Sequence, residues 1–239
     1  MIRSGREFLL VWFCAVVGPV MGRSQGLSPP IAEYRGRANG ALELRNDSDV
    51  PLAAILELRG FSLDAEGNLR YGPLNPRINV ELGSNSFIIP PHQAHYVFYR
   101  ATSTRLPVWF AIMNNLTRAT PVAQGLRVNV ILPHLVYIYQ KPKFKEQDLE
   151  VRIFPGGRSG EYRLELINRS EKLTRVEAVD CKGFEVNQTY GGFPLFPGQS
   201  RSITLEAGEP STRARFRIRF QDGLRLNRFL TASASSLPP

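Results

Sequence analysis

Cysteine is almost absent from this chain of 239 residues: Cys14 and Cys181 are its only two. No disulfide framework can hold such a fold, so an exported domain of this composition depends on its apolar core. Cys181 is read as a small buried apolar residue. Histidine is nearly as scarce, with His92 and His95 near one turn and His134 far away in sequence. A zinc centre needs three or four converging ligands, and two histidines on a turn are read as solvated, so no metal is expected. Also missing are a Gly-x-Ser-x-Gly elbow, a phosphate loop and a paired-cysteine motif. Gly156-Gly157 and Gly191-Gly192 read as hairpin turns rather than phosphate cradles. An enzyme is therefore not expected, and neither is a small-molecule cofactor. Long apolar runs are lacking too: a membrane-spanning helix takes about 20 residues, and no segment reaches that.

The N-terminus does carry a shorter run. Arg3 and Arg6 precede the uncharged stretch from Phe8 to Val17, Gly18 and Pro19 break it, and Arg23 follows. This is the pattern of a cleaved signal peptide over 1–24, with the cut between Gly22 and Gln25. The mature chain then suits one large β domain or two domains of about 100 residues each. The formal net charge is +9, but it is spread thinly. Arg213, Arg215, Arg217 and Arg219 alternate with Ala214, Phe216 and Ile218, the pattern of a strand with one solvated and one core face. No nucleic-acid partner is expected.

Helical patterning is scarce, whereas alternating runs bounded by Gly, Pro, Asn and Asp recur. Ala41 to Leu44, Leu52 to Leu58, Val128 to Leu132 and Arg163 to Leu166 are examples. An all-β fold follows. An internal repeat divides it. Leu42-Glu-Leu-Arg-Asn46-Asp-Ser48 matches Leu164-Glu-Leu-Ile-Asn168-Arg-Ser170, each a strand running into a turn. Phe87-Ile-Ile-Pro-Pro91-His-Gln93 matches Phe193-Pro-Leu-Phe-Pro197-Gly-Gln199. Phe110-Ala-Ile112 matches Phe216-Arg-Ile218, and Gly125 to Leu132 matches Gly223 to Leu230. Four matches in one order predict two sandwiches of one topology, over 25–141 and 143–239. The linker Gln140-Lys-Pro-Lys-Phe-Lys145 is short and holds Pro142, which limits the angle between them. Gly67-Asn68, Gly72-Pro73 and Asn75-Pro76 mark an inserted loop or hairpin in the first domain, and 232–239 reads as a tail. The aromatics Tyr96, Phe98, Tyr99, Trp109, Phe110, Tyr137 and Tyr139 read as core and rim.

Several stretches resemble, in order and spacing, the periplasmic chaperones of the chaperone–usher pilus pathway. They are Pro30 to Gly36, Ala41 to Asn46, Phe87 to Val97, Leu106 to Asn114, and Leu135 to Pro142, where the family typically ends a strand in Tyr-Arg-Pro. The resemblance implies two immunoglobulin-like β-sandwich domains in a bent arrangement, in the periplasm. It implies pilus or fimbrial subunits as clients, held by donation of a β-strand, and an outer-membrane usher that receives them. Strand donation is β-augmentation, in which main-chain bonds give affinity and alternate side chains fill pockets. The donor side chains would be Leu126, Val128, Val130 and Leu132; the alternative, that they are core like Leu224, Leu226 and Leu230, stays open. The family binds the subunit's terminal carboxylate with an Arg of the first strand and a Lys of the last strand of domain one. Here those positions hold Ile31 and Val136, and a shift by two finds Glu33 and His134. Pro133 also interrupts the ladder there. His134, Lys141 and Arg35 are the candidate replacements in the cleft. Lys141 and Asp222 are expected to pair across the domains. The competing reading is a secreted two-domain structural or adhesive protein that lends no strand.

Overall fold

The computed structural model describes residues 25–64, 67–119, 128–155, 161–182, 189–206 and 213–231. The segment expected to be a signal peptide, Leu126, the pair Gly156-Gly157 and residues 232–239, expected to be a tail, lie outside the described residues, as does the side chain of Cys181.

Strands occupy most of what is described. Ahead of the linker come β1 (Gly26–Ser28), β2 (Ile31–Arg35), β3 (Ala38–Arg45), β4 (Leu52–Leu63) and β5 (Leu69–Gly72). They are followed by β6 (Ile78–Leu82), β7 (Ser86–Ile89), β8 (Ala94–Ser103), β9 (Val108–Arg118) and β10 (Asn129–Tyr139). One sheet runs β1-β3-β8-β6. The facing sheet runs β2-β10-β9-β4-β5, with β7 also on β4. The inserted segment is thus a hairpin, β4 with β5. Between the sheets Leu42, Leu44, Ala54, Ile89, Val97, Phe110, Ile112, Leu116, Val136 and Ile138 form one core. These are alternate positions of their strands, as a two-layer sandwich requires.

Beyond the linker lie β11 (Leu149–Pro155), β12 (Glu161–Asn168), β13 (Thr174–Lys182), β14 (Thr189–Tyr190) and β15 (Phe193–Leu195). The last three are β16 (Ser200–Glu206), β17 (Arg213–Phe220) and β18 (Arg225–Thr231). One sheet is β11-β12-β16; the other is β14-β13-β17-β18, with β15 also on β13. Among the described residues no sheet takes strands from both sides of the linker. Leu164, Leu166, Val176, Val179, Ile203, Phe216, Ile218 and Phe220 fill the second core.

The internal repeat has a specific physical content. Asn46 and Asn168 are both 0% exposed. The Asn46 amide donates to the carbonyls of Val50 (2.8 Å), Ile89 (3.0 Å) and Pro90 (3.1 Å). That of Asn168 donates to Lys172 (2.6 Å), Leu195 (3.2 Å) and Phe196 (3.0 Å). Each side-chain oxygen accepts from the backbone N–H and the hydroxyl of the serine two residues on. Each asparagine therefore does more than close its own turn: it ties one strand end to a second turn more than 25 residues away. In that second turn His92 has φ 56° where its counterpart Gly198 has φ 70°, a left-handed conformation that glycine adopts at less cost.

The fourth match does not survive the strand register. Ile218 pairs with Leu226 across β17 and β18, whereas Ile112, its counterpart, pairs with His134 across β9 and β10. Leu226 therefore corresponds to His134 and not to Val128. Hairpin length, which local sequence does not reveal, moves the equivalence by six residues, and Asn129–Leu132 extend β10 beyond anything in β18.

Candidate functional site

A strand position is free for augmentation only where a neighbour is missing. β10 pairs with β9 without a break from Asn129 to Ile138. On its other side it pairs with β2, in parallel, from Leu135 to Tyr139 only. Upstream of Leu135 that side of β10 has no partner strand among the described residues. The N–H of Leu135 donates to Pro30 O (2.9 Å), and Tyr139 O accepts from Gly36 N (3.1 Å), so odd-numbered residues turn their backbone groups to this side. Alternation then aims the groups of Asn129, Ile131 and Pro133 at the open edge. Pro133, expected to interrupt the ladder, leaves the pairing with β9 intact because its missing donor falls on the open side. The edge offers two donors and three acceptors, and proline at that place is a usual guard against indiscriminate pairing.

Side chains along this edge alternate. Val130 and Leu132 are half-buried against the core of domain one. Val128 is 57% exposed and Ile131, on the opposite face, 49% exposed. A cleft of about 280 Å³ lined by Leu52, Leu116, Val128 and Val130, among others, opens beside them. Of the four expected donor side chains three are thus brought into one row at an open edge, and Leu126 lies outside the described residues.

The other sequence-predicted residues are placed differently. His134 is fully buried: Nδ1 donates to Pro29 O (2.6 Å), and Nε2, left as acceptor, receives the Tyr99 hydroxyl (2.9 Å). Tyr99 is linked in turn to the Tyr34 hydroxyl at 2.8 Å. Burial lowers the His134 pKa from its usual value and, with the neighbouring hydroxyl, raises that of Tyr99. Both ring nitrogens are engaged in the core, so His134 is not a cleft anchor. Arg35 is not free either, since it pairs with Asp222 across the domains. Asp222, with a side chain only 4% exposed, also accepts from the N–H of Phe144 at 3.0 Å. The expected Lys141–Asp222 pair is therefore replaced by Arg35–Asp222. Lys141 is exposed, and no ion pair of it is found among the described residues.

The parallel register of β2 and β10 explains what faces the cleft. Glu33 stands beside Tyr137, and Arg35 beside Tyr139, while Val136 is fully buried in the core and Ile31 is 41% exposed. Glu33 accepts from Tyr139 Oη (2.9 Å), Arg175 Nε (2.5 Å) and Gln221 Nε2 (2.7 Å). The ring of Tyr137 lies under the Arg175 guanidinium at 5.4 Å. Burial pushes the Tyr137 pKa up to about 12. Gln140 joins the domains further, exchanging two hydrogen bonds with the backbone of Leu173 (3.0 and 3.1 Å). An apolar cluster completes the interface: Phe61, Ala111, Tyr137 and Tyr139 pack with Leu173 and Phe196 of the second domain. Phe196 sits 4.5 Å from the Trp109 ring. Sequence reasoning missed Arg175 and Phe196; the sole cue was that Phe196 falls in the repeat where domain one has Pro90.

No protein-family model matches the chain, and comparison with curated proteins by sequence finds no match. Solved structures do match in fold. The class 5 fimbriae chaperone CfaA aligns with a TM-score of 0.54 at 9% identity, over 86% of this chain and 98% of that one. The E. coli chaperone DraB aligns with a TM-score of 0.52 at 14% identity, over 87% and 95%. A chain of the Salmonella enterica complex of SafA pilin with the SafB chaperone gives 0.51 at 12%, over 87% and 96%. The fold resembles that of the periplasmic chaperones of the chaperone–usher pathway. It is all-β, with two immunoglobulin-like sandwiches in a bent arrangement. Among the described residues no group of three or more His, Cys, Asp or Glu is placed to hold a metal ion.

Proposed function

We propose that this chain is a periplasmic chaperone that binds pilus or fimbrial subunits through the open edge of β10 and passes them to an outer-membrane usher. The observation that carries the proposal is the unpaired edge from Asn129 to Pro133 with Val128, Val130 and Leu132 alternating beside it. An incoming strand gains main-chain bonds at Asn129 and Ile131, and its apolar neighbours gain the row of Val and Leu side chains. The likeness in fold to fimbrial chaperones supports the reading. The cleft holds a carboxylate, Glu33, already satisfied by Arg175. Of the three candidate anchors only Lys141 is both exposed and without an ion pair among the described residues, and one exposed, flexible ammonium holds a client's terminal carboxylate less firmly than an Arg–Lys pair. Client retention then rests on the strand edge.

The test is a tagged pull-down from the native periplasm. A small β-rich protein recovered in stoichiometric amount, and lost when Val128 and Val130 are both changed to Asp, is the expected result. Ile88→Asp serves as control, since Ile88 is 61% exposed on β7, away from the edge. A folded variant that keeps its partner, or a wild type that recovers none, would refute strand donation and favour the structural or adhesive reading.

A further inference from the structure

The outer face of domain two concentrates positive charge. Phe216, Ile218 and Phe220 of β17 are buried, which turns Arg215, Arg217 and Arg219 to the opposite side of the sheet. On β18, Leu226 is buried while Arg225 and Asn227 are exposed and Phe229 is 65% exposed. The register sets the two rows side by side, Arg215 opposite Phe229, Arg217 opposite Asn227 and Arg219 opposite Arg225. Asp180 of β13 lies opposite Arg217 and 3.5 Å from Arg219.

Solvation alone does not call for this arrangement. Like charges directly opposite each other, as at Arg219 and Arg225, weaken a sheet, and threonine or an alternation of sign would keep the face wet without that cost. Arg215 is also oriented: it donates to Asn227 Oδ1 (3.1 Å) and lies 5.7 Å over the Phe229 ring. Held guanidinium forks match carboxylates in two-pronged pairs, which a mobile ammonium does not. An exposed aromatic ring among arginines is the composition of a protein-recognition hot spot, whereas attraction to a lipid surface needs charge without orientation. Side chains two apart on a strand are separated by about 6.6 Å, so the arginine row fits carboxylates at every second residue of an extended segment.

We propose that this face docks an extended acidic segment of a partner protein, carboxylates alternating along β17, at a surface separate from the β10 edge. Fluorescence anisotropy with a labelled peptide of alternating Glu and Thr tests it, the Gln–Thr peptide serving as comparison. The Glu peptide binds, the Gln peptide does not, and raising salt from about 0.05 to about 0.5 M weakens binding strongly. Arg217→Glu with Arg225→Glu reduces affinity at least tenfold, and the milder Arg217→Gln with Arg225→Gln gives a smaller loss in a protein whose circular dichroism is unchanged. Arg37→Glu with Arg163→Glu, the same charge change elsewhere on the surface, leaves affinity within about twofold once the net charge is equal. Equal loss in both reversal variants, no binding of the Glu peptide, or binding only to phosphatidylglycerol vesicles would each overturn the proposal.

Discussion

Replacing Asn46 by Asp changes one buried amide into a carboxyl of the same shape, and the structure sets the outcome. The amide NH2 of Asn46 faces three carbonyls, and its oxygen faces two donors. Truncation to Ala removes all of these; at roughly 0.5–1.5 kcal/mol net per bond, and with carbonyls left unpaired, about 3–5 kcal/mol is lost. Asp keeps the acceptor but aims a second oxygen at three carbonyls. It must either bury that charge or take up a proton. Taking up a proton at neutral pH costs about 1.4 kcal/mol per unit over roughly three units above the reference value, or about 4 kcal/mol. The protonated carboxyl has one donor for three carbonyls, and those left unpaired add about 1–3 kcal/mol. A total of about 5–7 kcal/mol makes Asn46→Asp less stable than Asn46→Ala at pH about 7. The folded-state pKa of the new carboxyl lies above its unfolded value, so its unfavourable contribution grows as pH rises and fades towards the unfolded pKa of about 3.9. Urea denaturation followed by Trp109 fluorescence, with both variants measured at several pH values, reads this directly. If Asn46→Asp is no less stable than Asn46→Ala at neutral pH, or their difference does not shrink on acidification, the three-carbonyl geometry is not what holds this turn. Asn168 gives the same comparison in domain two.

Two further outcomes follow from the interface and the core. Phe196→Ala removes a ring that is 1% exposed and touches Trp109. It should cost about 3–5 kcal/mol and split a coupled melting profile into two transitions by calorimetry, while an unchanged single transition would count against Phe196 as the interdomain wedge. His134 has a depressed folded-state pKa through burial, so the unfolded chain binds the extra proton. Its stabilising contribution is full above about pH 6.5 and declines as pH falls below it, by at most about 1.4 kcal/mol per unit. Urea midpoints measured across that range should show this decline in the wild type and a shallower one in His134→Gln.

The strands over Ala41–Leu44 and Leu52–Leu58 were legible from alternation and turn residues, because a half-buried strand must place apolar side chains at every second position; their order in the sheets was not. The repeat was legible at Asn46 and Asn168 because their strand-to-turn contexts are local. Alternation along 126–132 showed that two faces differ. It did not show whether the apolar face meets the domain's own core or an open cleft, since both demand the same residues. His134 illustrates the converse: a histidine near a strand exit looks available until Tyr99 and Pro29 are brought to its two nitrogens from distant parts of the chain.

The sequence by itself determined the all-β class, the two copies of one plan and the alternating arginine row of β17. Each rests on residues near one another along the chain or on composition. Only the tertiary structure decided that Arg35, not Lys141, meets Asp222, that Glu33 is capped by Arg175, and that among the described residues the side of β10 away from β9 has no partner strand ahead of Leu135. Strand register, hairpin length and interdomain packing set those, and they depend on contacts between residues more than 100 positions apart, whose pairing no local pattern encodes.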